Sequence, residues 1–203
     1  VFPMGVTRVE GGIHVTMVSK AKECALVLYR KGIMEPAAKL SFPQESRTGN
    51  VWSMTVKGPF EGVKYAFEED GKEVPDTYGR RFTGWERWGS GKADRPLHAV
   101  FDASQPPAFN WENDQLPSIP FENEIIYHIH PRGFTKHASS GLPPSIRGTF
   151  RAVAEKISYL KELGITTVEL MPPVEFPEVL GAERLNYWGY GPALHFAPKE
   201  AYS

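Results

Sequence analysis

The chain has a single cysteine among its 203 residues, so no intrachain disulfide framework is available. That residue, Cys24, lies in the apolar run Cys24-Ala-Leu-Val-Leu-Tyr29 and reads as a small buried hydrophobe. So little cysteine fits a cytoplasmic protein. Neither sign of charge is in excess: 23 basic residues face 24 acidic ones, for a net charge of −1, and no block of like charge occurs. This speaks against nucleic acid or an anionic membrane as the main partner. No apolar run reaches the roughly 18 residues of a membrane-crossing helix. The opening Val1-Phe-Pro-Met-Gly5 is not a signal peptide, and a signal removed earlier would leave no trace.

Aromatic residues make up 12% of the chain, with five tryptophans, alongside 19 glycines and 18 prolines. This suits a loop-rich β domain with stacking surfaces. Residues 1–104 read as short strands between turns. Ile13, Val15 and Met17 alternate with His14 and Thr16. Cys24 to Tyr29 is apolar throughout, as a strand buried on both faces would be. Trp52 alternates with Met54 and Val56, which places it in a core. Val63, Tyr65 and Phe67 face one side, Lys64 and Glu68 the other, and Asp70-Gly71 marks a hairpin turn. These runs predict an antiparallel β-sandwich of the immunoglobulin-like type. Residues 105–121 then form a linker, punctuated by Gln105-Pro-Pro-Ala and Leu116-Pro-Ser-Ile-Pro120.

From residue 122 the period changes. Glu124-Ile-Ile-Tyr-His-Ile-His130 is a strand, followed by a loop from Ala138 to Pro144. Thr149 to Leu163 carries Phe150, Val153, Ile157 and Leu160 at helical spacing, with Thr149 as N-cap and Gly164 as the stop. Ile165-Thr-Thr-Val-Glu-Leu-Met171 is a second strand, ended by Pro172-Pro173. Strand, helix, strand is a βαβ unit with parallel strands. Two such strands cannot cover their own faces, so further chain is expected against them.

Three segments carry a resemblance. Ile125-Ile-Tyr-His-Ile-His-Pro-Arg-Gly-Phe-Thr-Lys136, Leu160-Lys-Glu-Leu-Gly-Ile-Thr-Thr-Val-Glu-Leu-Met-Pro172, and Asn186-Tyr-Trp-Gly-Tyr-Gly-Pro192 with Phe196-Ala-Pro198 stand in the order of the isoamylase and pullulanase type of debranching enzyme, in glycoside hydrolase family 13. They resemble its first barrel strand, first helix with second strand, and following loop. Val51-Trp52, Gly62-Val-Lys-Tyr65 and Asp76-Thr-Tyr-Gly-Arg80 are similar to the family 48 carbohydrate-binding module that commonly precedes this barrel. Thr77 stands where that module often has proline. His128 and Pro131 also depart from the barrel pattern. Arg132-Gly-Phe-Thr135 favours a debranching hydrolase over a branching transferase. A non-catalytic glucan-binding module or scaffold is the alternative of a different class.

The resemblance implies an N-terminal portion, with residues 122–203 an incomplete segment of a (β/α)₈ TIM barrel. The partners implied are an α-glucan and the rest of the barrel. The resemblance implies no cofactor, although calcium is compatible with a parent enzyme. Retaining glycosidases need two carboxyl groups roughly 5–5.5 Å apart, and the family takes them from strands four and five. A full barrel needs about 250 residues, so no catalytic residue is expected in this chain.

The expected substrate contacts are Tyr190, as a platform under a bound sugar, with Tyr187, Trp188 and His130 beside it. Trp85 and Trp88, in Thr83-Gly-Trp-Glu-Arg-Trp-Gly89, are candidates for stacking on a glucan from the sandwich. His128 and His130 are spaced like a metal pair but lack a third ligand, so no metal is expected. Glu169 lies inside a strand and reads as structural, and Glu175 and Glu178 read as surface residues of a loop.

Overall fold

The computed structural model describes residues 3–30, 35–92, 95–101, 110–182 and 184–203. The chain divides into two compact units. The first comprises residues 1–85, 94–107 and 194–197; the second comprises 86–93, 108–193 and 198–203. Residues 105–109 of the expected linker lie outside the described residues, and 110–120 form neither strand nor helix.

Among its described residues the first unit carries, in two sheets, the strands β1 Gly5–Val9, β2 Gly12–Val18, β3 Cys24–Tyr29, β4 Pro36–Ser41, β5 Arg47–Thr48, β6 Val51–Lys57, β7 Lys64–Glu69, β8 Lys72–Val74, β9 Phe82–Thr83 and β10 His98–Val100. One sheet has the order β1-β2-β6-β5. The other runs β4-β3-β7-β10-β9, with β8 pairing β7. The pairings within both sheets are antiparallel. Alternation explains the pairing of faces: Ile13, Val15, Met17 and Trp52 from one sheet meet Leu26, Tyr65, Phe67 and Ala99 from the other in a single core. Cys24 is buried there, as its apolar run predicts. The hairpin between β7 and β8 turns at Asp70 (φ 47°) and Gly71 (φ 83°), and pairs Glu69 with Lys72. The buried Asp76 carboxylate is satisfied locally: it accepts the Tyr65 hydroxyl at 2.8 Å and the Tyr78 backbone N–H at 2.9 Å. Trp85 belongs to this core at only 3% exposure. Its indole has no open face for a sugar, which corrects its candidacy as a stacking residue.

The second unit opens with β11 Ile126–Ile129 and holds β12 Thr167–Leu170 in parallel register, Ile126 facing Thr167 and Ile129 facing Leu170. Between them lie α1 Pro131–Lys136, α2 Phe150–Ala154 and α3 Ile157–Glu162. The βαβ order expected from the pattern is present, with two differences. Ahead of the expected loop from Ala138, the strand runs at once into α1, with Pro131 at its first position and His130 as its cap. The helix expected from Thr149 to Leu163 is two helices, because Lys156 leaves helical geometry at φ −97° and ψ 5°.

Both ends of the helical stretch match the sequence. The Thr149 hydroxyl accepts the Ala152 N–H at 3.2 Å. At the other end Gly164 N–H donates to Lys161 O and Ile165 N–H to Leu160 O, the paired bonds of a Schellman cap. Thr149→Ala should therefore destabilise the chain by about 1 kcal/mol, read as a lower denaturant midpoint with unchanged slope.

Candidate functional site: an aromatic loop on a buried polar frame

Both parallel strands of the second unit deliver their C-terminal ends to one region. His130 follows β11, and the segment after β12 leads through Glu175, Phe176 and Glu178 to the loop Asn186-Tyr-Trp-Gly-Tyr190. Between the two lies a short hairpin, Val179–Leu180 against Arg184–Leu185.

The loop is closed by its own asparagine. Asn186 Nδ2 donates to Tyr190 O at 2.9 Å, while its Oδ1 accepts the Gly189 N–H at 3.2 Å. The Asn186 N–H donates to Glu178 O at 2.8 Å, anchoring the loop to the preceding segment. Gly189 sits at φ 81° with its backbone against Phe176, where a Cβ would lie 2.7 Å from the ring. Only glycine fits that approach. With the backbone held this way, Trp188 is 56% and Tyr190 58% exposed. Tyr187 is partly exposed, its ring stacked on His130 at 4.7 Å and 13°.

Beneath the loop is a packed aromatic cluster. Trp88 stacks on Tyr202 at 5.6 Å and meets Phe176, Tyr187 and His130 edge-on. The Arg132 guanidinium sits 4.7 Å from the Trp88 ring centre. Trp88 is thus a packing residue of this cluster and not the free stacking platform proposed from its loop sequence. His130 is 93% buried, at 7% exposure, with both ring nitrogens engaged by the protein. That corrects its expected contact with substrate. His128, in contrast, is exposed on β11. The pair therefore does not converge on one point, because His130 has already left the strand.

A second correction concerns the carboxylates. Glu175 and Glu178, expected at the surface, are both fully buried, and so is Lys199. The Lys199 ammonium lies 2.7 Å from Glu178 Oε1 and bonds Glu175 Oε1 directly, with Phe176 O at 3.3 Å. Glu175 Oε2 accepts the Glu200 N–H at 2.9 Å, and Glu178 Oε2 accepts the N–H groups of Gly89 and Gly91. Burial raises the Glu175 carboxyl above the usual carboxylate range, and Lys199 pulls it part of the way back. Glu169 is exposed on β12, with no sign of a catalytic setting. Among the described residues no three His, Cys, Asp or Glu side chains are grouped to hold a metal ion.

Of the six residues singled out as substrate contacts, the structure brings Tyr187, Trp188, Tyr190, His130 and Trp88 into one region and buries Trp85 elsewhere. The residues that sequence reasoning missed are the supports: Glu175, Glu178, Lys199, Asn186 and Tyr202. Asn186 alone carried a signal, as the first residue of the Asn-Tyr-Trp-Gly-Tyr segment.

No protein-family model matches the chain. Among curated proteins, the chloroplastic isoamylase 1 of Arabidopsis thaliana is 32% identical over 231 residues, covering 99% of this chain and 29% of that protein. The glycogen operon protein GlgX homolog of Haemophilus influenzae is 30% identical over 226 residues, covering 99% of this chain and 34% of that protein. Among solved structures, the Group B Streptococcus pullulanase SAP superposes with a TM-score of 0.80 at 23% identity, covering all of this chain and 29% of that one. The apo pullulanase of Paenibacillus barengoltzii gives 0.77 at 23% identity, covering 99% and 32%. At these identities the solved structures show the fold alone, and the chain spans about a third of the curated relatives' length. Over nearly all of its length the chain is thus similar to about a third of the isoamylase 1 and GlgX-homolog proteins, and it shares the fold of the corresponding part of the solved pullulanases.

Proposed function

We propose that this chain is part of an α-glucan debranching hydrolase that cleaves α-1,6 branch linkages with retention, and that the Tyr187–Tyr190 loop supplies a platform for a glucose unit near the scissile bond. The observation that carries the reading is the mounting of Trp188 and Tyr190. Their rings are open to solvent on a backbone fixed by Asn186, Gly189 and Phe176, at the C-terminal ends of two parallel strands. Active sites of parallel α/β barrels gather at that end. An aromatic face suits the C–H face of a pyranose, and a rigid mount spares the ordering cost of binding.

Residues 122–203 are read as the first βαβ step of a (β/α)₈ barrel. Ile126, Tyr127, Val168 and Leu170 are exposed on β11 and β12, as strands awaiting barrel neighbours would be. The two catalytic carboxylates would come from later strands. Residues 1–104 are read as a sandwich of the carbohydrate-binding kind. Solved pullulanases of similar fold carry maltotetraose, or maltohexaose with α-cyclodextrin, which supports an α-glucan as the ligand.

A reducing-sugar assay on pullulan and glycogen tests this reading. The 203-residue chain should release nothing, and a protein of the relatives' length that contains it should release linear chains. Release by the chain alone would put the chemistry on its own carboxylates. Failure of the longer protein on both substrates would remove the debranching assignment.

A further inference from the structure

His130 is held in a geometry that admits one protonation state. The Gly133 backbone N–H points at Nδ1 from 2.8 Å, and a backbone N–H only donates, so Nδ1 must present a lone pair. Nε2 lies 2.7 Å from Tyr187 O, and a carbonyl only accepts, so Nε2 must carry the proton. Between the two bonds the ring lies flat on Tyr187. The Tyr187 hydroxyl reaches back over α1, where a Cβ on Gly133 would come within 2.7 Å of it. Gly133 is therefore shaped for this contact. A neutral histidine thus joins the first turn of α1 to the backbone of the aromatic loop.

We infer that His130 is a positioning residue, whose Nε2–H holds the Tyr187 carbonyl and so fixes the exposed rings of Trp188 and Tyr190. The role in sugar binding rests on the proposed function; the hold on the loop does not.

The arrangement is proton-sensitive. An imidazolium would place a second proton on Nδ1, facing the Gly133 N–H, and the cap of α1 would be lost. The groups facing the ring are Arg132 from α1, Tyr187 and the uncharged Trp188 from the loop, and, from the aromatic cluster, the uncharged Trp88 and Tyr202, whose hydroxyl lies 3.3 Å from Nε2. Burial lowers the affinity of His130 for a proton, Arg132 adds to that, and the bond to Tyr187 opposes it. The sign follows: the unfolded histidine takes up its proton near pH 6.5, above the folded one. The hold is complete above that pH and weakens as pH falls towards the lower folded value.

The test is hydrogen exchange at the amides of Trp188, Gly189 and Tyr190, together with ¹⁵N spectra of the His130 ring and a maltotetraose titration. His130→Asn keeps an oxygen for the Gly133 N–H but cannot reach the Tyr187 carbonyl. The expected result is a neutral Nε2–H ring at pH 7, loop exchange about tenfold faster in His130→Asn, and little change in the amides of α1. Protection of the wild-type loop amides, taken relative to their intrinsic exchange rate at each pH, should also fall as pH drops below about 6.5, which tests the idea even if the variant does not fold. An Nδ1–H or charged ring at pH 7 would overturn the inference, as would loop protection indifferent to both the substitution and pH. Faster loop exchange with unchanged maltotetraose affinity would uphold the hold on the loop and sink the sugar platform instead.

Discussion

Replacing Lys199 by methionine should destabilise the second unit by about 3–5 kcal/mol, among the largest effects expected of one side chain in this protein. Methionine matches the lysine stem in length and can still lie against Phe176, which the ammonium approaches at 4.8 Å. What it removes is the ammonium that bonds both Glu175 and Glu178. Each carboxylate is also tied to backbone, Glu175 to the Glu200 N–H and Glu178 to Gly89 and Gly91, so neither can swing out to water without breaking further bonds. Two buried carboxylates would lose the ammonium they share.

The deficit should depend on pH in a stated direction. Without the ammonium, the folded-state affinity of the Glu175 carboxyl for a proton, already raised by burial, rises further above that of the unfolded chain. Folding is then penalised as pH rises through the folded value and relieved as pH falls towards the ordinary carboxylate range, about 4.3. Lys199→Met should therefore be most destabilising near neutrality. Glu175→Gln, which keeps an acceptor for Glu200 and lowers the buried charge, should cost much less. Chemical denaturation at pH 5 and pH 7.5 checks both statements. An equal loss at the two pH values would show that packing, and not charge, holds the cluster.

Trp52→Ala should cost the sandwich about 3–5 kcal/mol. Trp52 is fully buried on β6, paired with Met17 on β2, and packs edge-on to Phe42 at 6.4 Å. The Arg47 guanidinium covers its ring at 4.8 Å, and its Nε1–H reaches Ser19 O at 3.4 Å. Alanine would leave a cavity between two sheets whose strands are fixed by their ladders, so collapse around it would be limited. Trp52→Phe, which keeps most of the apolar volume, should lose less. Equilibrium unfolding in urea distinguishes these; a Trp52→Ala loss below about 1 kcal/mol would mean that the core closes over the gap.

How far the sequence could be read follows from which interactions are local. The alternation around Val15, Trp52 and Phe67 reports one strand's own two faces, so the sandwich core was legible. Thr149 and Gly164 act within one turn of the helices they bound, and both were found. The break at Lys156 was not, because its neighbours keep helical composition. α1 was missed because a histidine cap and a glycine two residues into the helix lie outside the usual start signals. The burial of Glu175 and Glu178 was misread for a deeper reason. Val-Glu-Phe-Pro-Glu resembles a solvated loop, and the residue that neutralises it, Lys199, is more than twenty positions away. Trp85 and Trp88 were read from one short glycine-flanked segment, yet they belong to different units.

The most direct measurement is a titration of the chain with maltotetraose, followed residue by residue by NMR, in wild type and in Tyr190→Ala. The expected result is chemical-shift change centred on Trp188 and Tyr190 in the wild type, lost or weakened at least tenfold in the variant, while the amides of the sandwich core stay fixed. Binding that proceeds unchanged in Tyr190→Ala, or shift changes that avoid the loop, would contradict the assignment of this loop as the sugar platform.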